Sequence, residues 1–376
     1  MLIYIFVFLL SIVFTILCEG SEKKTYRIAF ALIAILIPSL LAGLRDYGVG
    51  YDTQIYVDDT YREVLDYRDS GLWTFLKAIL EGEFTQEPFY CFINYIGLHL
   101  GIEVNYVYFV VNFVTIALVF NAIWLYQEKA SMPLMMFVFL FLYFNISLNI
   151  IRQTVAIALA LNVYLYLEQR RWIMALVFGV LMFLSHTTSI VFILFLLLYV
   201  AINRGVGFKI VIGLILVVPL VFLMLEDLVI LAISLNIVPT RFINYILEEE
   251  ETTVMKTAVA YGWLVFGAML WGGYTFLIRE NNSRETYFIL YVKLFSNLLI
   301  LASTVSFWTF RMAYYYGVFD ILFIPRIIHL VSEENEEKGK MLTCFYVILI
   351  IFYWYWSIIY NNENETYPYK SEILGI

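Results

Sequence analysis

Four short stretches of this chain contain residues that can bind an anion, residues that can move a proton, or both. They are RDYGVGYDT at 45–53, NIIRQTVA at 149–156, LSHTTSI at 184–190 and FWTFRMAYYYGVFD at 307–320. Arginine presents a planar fork of N–H donors that suits phosphate and carboxylate groups. Histidine titrates near neutral pH, and a carboxylate can accept a proton. The stretches therefore indicate anion binding combined with proton transfer.

In the first stretch, Gly48 and Gly50 can adopt backbone conformations that are closed to other residues. They predict either a tight turn or a concave run of backbone N–H groups that binds an anion. Arg45 is suited to phosphate or carboxylate, and Asp52 could orient Arg45 or act as a base. The alternative is a solvated loop in which a basic residue anchors the end of a helix.

The second stretch places Arg152 and Gln153 inside an apolar run. A charge within the membrane is costly, so such a residue is a functional candidate by default. The alternative is an arginine near the end of a helix whose head group reaches the membrane surface.

The last two stretches each have a structural alternative as well. His186 could be a structural histidine, with the hydroxyl residues 187–189 capping the helix that follows. Arg311 stands beside the tyrosines 314–316, which could form an aromatic belt at the membrane surface.

These residues must be positioned by membrane helices, because the chain of 376 residues is 62% hydrophobic and only 14% charged. Apolar runs of about 18 residues recur from end to end and predict transmembrane helices. We predict an all-α polytopic membrane protein, a single integral membrane domain over 1–376, with about 10–12 such helices. The stretch 88–101 is predicted to be an interfacial or re-entrant helix. The predicted spans are 2–18, 27–44, 104–126, 132–148, 150–167, 173–185 with 187–202, 208–225, 257–278, 286–306, 311–331 and 341–360.

Composition also excludes some classes of function. The net charge of −8 argues against a nucleic-acid ligand, since such ligands are bound by basic patches. Cys18, Cys91 and Cys344 have neither metal-ligand spacing nor a disulfide pattern. The first run, 2–18, lacks the basic start and the cleavage site of a signal peptide, so it is predicted to be a retained span.

Loops rich in lysine and arginine face the cytoplasm, which predicts an outside N-terminus. The longest polar loop, 45–87, then lies outside, within an outer-face region 45–103 that contains short helices. Successive loops alternate between the two sides of the membrane only if 173–202 is a re-entrant or short-helix hairpin that turns near His186. From Trp172 to His186 the helical rise is about 21 Å, and Arg152 lies about 22 Å from the inner end of its helix. His186 and Arg152 are therefore predicted at the same height.

Together, Arg45, Arg152, Arg311, His186 and Asp52 predict an outward-facing pocket for a bulky anion. Several guanidinium groups at membrane depth suit a lipid-linked pyrophosphate. No cofactor is predicted, and no metal is needed if the arginines stabilise the charge.

At these residues the chain resembles the EpsG family of bacterial exopolysaccharide and O-antigen polymerases, which are Wzy-like. The resemblance covers about residues 30–330. In that family an arginine, a glycine-containing turn, Asp-Thr and a tyrosine lie in the first large outer loop, and a glutamate opens the next helix. An Arg-Gln pair, a histidine followed by hydroxyl residues, and an arginine with aromatic residues come later. The matching residues here are Arg45, Gly50, Asp52, Thr53, Tyr56, Glu87, Arg152, Gln153, His186, Thr188, Arg311 and Tyr315.

The resemblance implies a multi-pass glycosyltransferase of the bacterial plasma membrane. Such an enzyme joins oligosaccharide units carried on undecaprenyl diphosphate into an O-antigen, capsule or exopolysaccharide at the outer face. It implies His186 or Asp52 as catalytic base, with Arg45, Tyr56, Glu87 and the residues of the later motifs binding substrate. The expected transfer is inverting and metal-independent. Membrane lipids, a chain-length regulator and a flippase are the expected partners.

Other classes of function stay open at this point. A flippase or transporter of the same lipids would often show repeat halves around a midplane site, and no repeat is evident. A membrane O-acyltransferase using His186 and a scaffold of an export complex are the remaining alternatives.

Overall fold

A computed structural model describes residues 1–100, 104–205, 213, 216–217, 224–235, 253–280, 283–303 and 307–376. The described secondary structure is helical, and no strand occurs in those ranges. Most of the predicted span 208–225 lies outside the described residues. The α-helices are α1 Leu2–Gly20, α2 Lys24–Gly43, α3 Asp52–Leu65, α4 Leu72–Glu81, α5 Pro88–His99, α6 Val104–Tyr126, α7 Met132–Leu142, α8 Phe144–Asn149, α9 Ile151–Glu168, α10 Trp172–Ser185, α11 Phe192–Asn203, α12 Leu225–Ser234, α13 Thr253–Glu280, α14 Arg284–Ala302, α15 Phe307–Gly317, α16 Asp320–Glu334 and α17 Glu336–Trp354.

Six helical segments in the described part of the chain are long and apolar enough to cross a membrane. They are Leu2–Gly20, Lys24–Gly43, Asn105–Tyr126, Arg284–Ala302, Thr309–Glu334 and Glu336–Tyr360. Shorter apolar helices accompany them, among them α7 and α10. The predicted all-α polytopic membrane architecture is confirmed.

The described chain forms two compact units. The first comprises Met1–Ile190 and Asp320–Ile376, and the second comprises Val191–Phe319. The predicted single domain over 1–376 stays a prediction, and each unit is described separately.

Helix α9 is the most buried long helix of the first unit. From Gln153 to Tyr166 all its residues are buried, and it packs against α6 and α10. A helix that is apolar on every side belongs in the interior of a bundle. Its small residues Ala156, Ala158 and Ala160 allow neighbouring helices to approach closely.

The predicted span 132–148 is broken into α7 and α8. Tyr143, between them, leaves the helical conformation with φ −121° and ψ −19°. The break falls where uninterrupted apolar residues give way to the alternating polar sequence FNISLN. Buried Asn145 finds partners far away in the chain, because its Oδ1 accepts from Trp354 Nε1 at 3.0 Å and its Nδ2 donates to Thr366 Oγ1 at 2.9 Å.

A helix interruption at His186 is confirmed, and the predicted hairpin over 173–202 stays a prediction. Helix α10 ends at Ser185, and His186 has an extended backbone with φ −163° and ψ 126°. A 3₁₀ turn, Thr187–Val191, leads to α11.

The two ends of α9 carry charged residues and define two ends of the first unit. We call the end near Glu168 the basic end. Lys129 lies 4.0 Å from Glu168 there, and Arg326 donates to the Lys129 carbonyl at 3.3 Å. Met132 N–H donates to Glu19 at 2.8 Å. The other end of α9, about 24 Å away, begins at Arg152 and is called the site end.

The second unit has an aromatic core of its own. Phe195 stacks on Phe319 with ring centroids 4.4 Å apart, and Tyr316 Oη donates to the Val191 carbonyl at 2.7 Å. Lys293 is buried on α14 in the same unit.

Candidate functional site

Glu87 is fixed by its position at the start of α5. Its backbone is extended, and Pro88 follows at the first helical position, where the proline ring suits the helix. The Glu87 carbonyl accepts from the N–H groups of Tyr90 at 3.0 Å and Cys91 at 3.1 Å. Because α5 packs against α6 and α10, this helix start is held against the bundle and the Glu87 side chain is only 10% exposed.

Arg152 lies in the first turn of α9 and donates through Nη1 to Glu87 Oε2. Its side chain is 16% exposed. Charge-assisted hydrogen bonds of this kind are shorter and stronger than neutral ones. The structure therefore places the guanidinium of Arg152 against a carboxylate. Both groups are so buried that an unpartnered charge there would be costly.

His186 lies on the other side of the same carboxylate. Its Nε2 is 3.7 Å from Glu87 Oε1, which is an ion-pair distance when the ring is protonated. Its Nδ1 accepts from the Thr188 N–H at 3.3 Å and lies 2.8 Å from Thr188 Oγ1. A backbone amide can only donate, so Nδ1 carries the lone pair and the neutral ring holds its proton on Nε2.

Glu87, Arg152, His186 and Thr188 together form what we call the Glu87 cluster. Hydroxyl, imidazole and carboxylate follow one another in the order found in Ser-His-Asp constellations. In that order a hydroxyl can pass a proton to the imidazole while the carboxylate stabilises the imidazolium. The adjacent guanidinium adds an anion-binding group. His186 and Arg152 both contact the Glu87 carboxylate, and their equal height in the membrane stays a prediction.

The loop 45–52 is anchored beside this cluster. The glycine turn predicted there is confirmed, with φ +93° at Gly48 and φ +96° at Gly50. A Cβ at Gly50 would lie 2.4 Å from the Leu148 carbonyl oxygen, so only glycine fits. Asp52 N–H donates to Asn149 Oδ1 at 2.9 Å, and Asn149 precedes Arg152 by three residues.

Arg45 is fully buried, and its guanidinium lies 4.4 Å above the ring of Tyr108. Its carbonyl accepts from Asn105 Nδ2 at 3.1 Å. Asp52 is 4% exposed. A substrate that uses either residue must therefore enter the protein, and their predicted roles stay predictions.

The remaining predicted site residues are not part of the Glu87 cluster. Gln153 is buried on α9. Tyr56 lies on α3, and its side chain is outside the described part of the chain. Arg311 and buried Tyr315 lie on α15 of the second unit. Substrate binding by these residues stays a prediction.

Sequence reasoning missed the asparagines of α8 and the polar segment after the last span. Asn149 accepts from Asp52 and donates through Nδ2 to Asn364 Oδ1 at 3.2 Å. A usable signal was present, because NISLN and NNENETYPYKS are amide-rich stretches next to apolar helices.

Comparison with known proteins gives one match. The model of the EpsG family matches residues 28–371, which include every residue of the Glu87 cluster and the loop 45–52. No curated protein and no solved structure matches the chain. The matched region is nearly the whole chain and extends past the last span into the polar segment. The chain therefore belongs to the EpsG family.

Proposed function

We propose that this protein is a polysaccharide polymerase that joins lipid-linked oligosaccharide units at the outer face of a bacterial plasma membrane. The observation that carries the proposal is the buried contact of Arg152 and His186 with the single carboxylate of Glu87. It supplies an anion-binding group and a proton-accepting group side by side in a chain of the EpsG family.

The donor is the growing chain on undecaprenyl diphosphate, and the acceptor is a new lipid-linked unit. A hydroxyl oxygen of the acceptor attacks the anomeric carbon of the donor sugar. The bond from that carbon to the pyrophosphate oxygen breaks, and its electron pair leaves with the pyrophosphate. One displacement of this kind inverts the anomeric configuration.

Arg152 stabilises the leaving group in this proposal. Negative charge on the pyrophosphate increases as the glycosidic bond breaks, and a guanidinium held nearby favours that change. The Glu87 contact supports the assignment because it fixes the guanidinium in advance of the substrate. Arg45 would serve the same pyrophosphate or that of the second lipid.

His186 takes the proton of the acceptor hydroxyl. The geometry favours a route through Thr188, whose Oγ1 accepts the proton of the sugar hydroxyl and passes its own proton to Nδ1. The imidazolium that forms then holds a proton on Nε2, facing Glu87 at 3.7 Å. Asp52 remains the alternative base.

The orientation is inferred from the loops rich in lysine and arginine. Three basic residues lie near the basic end of the first unit: Lys129 is beside Glu168, Arg27 donates to Gln127, and Arg171 lies over the ring of Tyr166. The Glu87 cluster lies at the other end of α9. The positive-inside rule assigns the basic end to the cytoplasm and the site end to the exterior.

A chain-extension assay tests the proposal. The purified protein, reconstituted in liposomes, is incubated with a purified lipid-linked repeat unit, and products are separated by length. We expect a ladder of lipid-linked polymers whose length is unchanged by a metal chelator. Movement of single units across the bilayer without extension would indicate a flippase, acylated single units would indicate an acyltransferase, and an unchanged substrate would contradict all three activities.

A further inference from the structure

The polar segment 361–372, which follows the last membrane helix, lies against the loop 45–52. Asp46 and Gly50 donate their N–H groups to the carbonyls of Lys370 at 3.0 Å and Glu365 at 2.9 Å. Glu372 N–H donates back to Asp46 Oδ1 at 2.8 Å. The segment and the loop, separated by more than 300 residues of chain, are therefore joined by hydrogen bonds in both directions.

Side chains of the same segment hold the chain just before Arg45. Tyr369 Oη donates to the Leu41 carbonyl at 2.8 Å, and Ser371 Oγ donates to the Leu44 carbonyl at 2.5 Å. Burial raises the pKa of Tyr369 to about 12, with the nearby positive charge of Arg45 acting in the opposite direction. The neutral phenol thus holds the end of α2 beside the guanidinium.

Two asparagines of α8 join the segment to the start of α9. Asn149 links the Asp52 N–H to the Asn364 side chain, and Asn145 donates to Thr366 Oγ1 at 2.9 Å. The Asn149 amide has one possible orientation, because the Asp52 amide can only donate to its oxygen. Through Asn149 the segment reaches within three residues of Arg152.

The backbone of the segment is itself in a special conformation. Asn362, Asn364 and Glu365 have positive φ angles of 50°, 68° and 52°. Asparagine tolerates this region better than most residues. The turn at these residues presents the Glu365 carbonyl to Gly50 and the Asn364 side chain to Asn149.

We infer that 361–372 is a positioning segment, which fixes the loop 45–52 and, through Asn149, the start of α9 relative to the Glu87 cluster. The inference rests on the proposed polymerase function for its effect on activity. Its structural part, protection of the loop, does not depend on that function. Residues of the segment act through the loop and do not touch the reacting atoms.

Two changes test the inference, each beside a control. The first is a chain that stops after Tyr360. The second is the double variant Tyr369→Phe with Ser371→Ala, which removes both hydroxyl donors around Arg45 and little volume. The control is Ile373→Ala, since Ile373 is 64% exposed in the same part of the chain. Hydrogen exchange of the peptide covering 45–53 reports on the loop, and the chain-extension rate reports on the site.

We expect faster exchange of 45–53 in both variants, with unchanged exchange in α6 and in the second half of α9. The extension rate should fall about 100-fold in the shortened chain, since a displacement of about 1 Å has effects of that size. The extension rate of the double variant should fall about tenfold, because two hydrogen bonds are removed. A synthetic peptide of residues 361–376 should restore part of the activity of the shortened chain, which a general loss of folding would not allow.

Several outcomes would overturn the inference. Unchanged exchange of 45–53 in the shortened chain would remove its structural basis. Fast exchange with normal extension would show that the segment does not position the site. A higher extension rate would show that it restrains the reaction. If the full-length protein extends no chains at all, the proposed function fails, and the exchange measurement still decides whether the segment fixes the loop.

Discussion

The two ends of α9 carry ion pairs of the same chemical kind in different surroundings. At the basic end Lys129 lies 4.0 Å from Glu168, with the two side chains 39% and 32% exposed. At the site end Arg152 contacts Glu87, and the two side chains are 16% and 10% exposed. One helix thus bears a solvated pair at its end and a buried pair at its start.

The two kinds of pair differ in what they contribute to stability. Exposed pairs contribute about 0–1 kcal/mol, because water and salt screen them. Buried pairs cost desolvation energy, and removing one partner typically costs about 3–5 kcal/mol. Apolar residues would often stabilise the same position equally well. Stability alone therefore does not require a buried pair that also faces a histidine, whereas the proposed reaction does.

The largest expected contrast between the ends is their accessibility across the membrane. In a Cys344→Ser background, a cysteine at Ser70 should react with an impermeant thiol reagent added outside the cell. A cysteine at Glu22, in the loop between α1 and α2, should react only after the membrane is opened, because that loop carries lysines. The reverse pattern would place the Glu87 cluster in the cytoplasm and end the proposal of an outer-face reaction.

The next largest effect concerns the base. His186→Gln should reduce chain extension more than about 100-fold, because an amide cannot accept a proton near neutral pH. Lipid-linked single units should then accumulate, which gel separation of labelled lipids would measure. Asp52→Asn is the comparison, since it also replaces a base by an amide.

The two variants together assign the proton acceptor. Loss of extension in Asp52→Asn with long chains from His186→Gln would make Asp52 the base and His186 a structural or orienting residue. Extension by both variants would exclude both residues as the base. The arginines would then account for most of the catalysis.

Thr188 should give a smaller and more selective effect. Thr188→Val keeps the shape of the side chain and the N–H bond to Nδ1, but it removes the hydroxyl that relays the proton. We expect a loss of about 10- to 100-fold in extension rate, whereas Thr188→Ser should stay close to the native rate. Equal extension rates for Thr188→Val and Thr188→Ser would exclude the proton relay through Thr188. The acceptor hydroxyl would then transfer its proton directly to His186.

The smallest effect is expected at the basic end. Lys129→Gln should change the free energy of unfolding by no more than about 1 kcal/mol, because the pair with Glu168 is solvated. Extension should remain normal. A loss of extension in a stable Lys129→Gln protein would show that the basic end also contributes to the reaction.

Much of the site could be predicted because its residues stand out against apolar surroundings. Arg152 is a charge inside an apolar run, and His186 interrupts another, so composition alone marks both. The loop 45–52 was marked by its glycines and charges. Glu87 was identified only through the family resemblance, since a glutamate before a proline at a helix start is common.

The rest depends on contacts that sequence patterns do not encode. The break at Tyr143 stands between an apolar run and the sequence FNISLN, in which apolar residues still alternate with polar ones, so hydropathy predicts one span across it. Asn149 is a neutral residue at a helix end, and its partners Asp52 and Asn364 are far away in the chain. The positioning segment follows the last apolar run, where hydropathy has no further signal.

The most direct test of the account is the chain-extension assay on Arg152→Lys beside Lys129→Gln, in one preparation with the native protein. Lysine keeps the charge at position 152 but loses the planar fork that suits both Glu87 and pyrophosphate. We predict long polymers from the native protein and from Lys129→Gln, and only single lipid-linked units from Arg152→Lys at a normal level in the membrane. Long polymers from Arg152→Lys would show that Arg152 is an anchor of its helix and that the Glu87 cluster is not the pyrophosphate site.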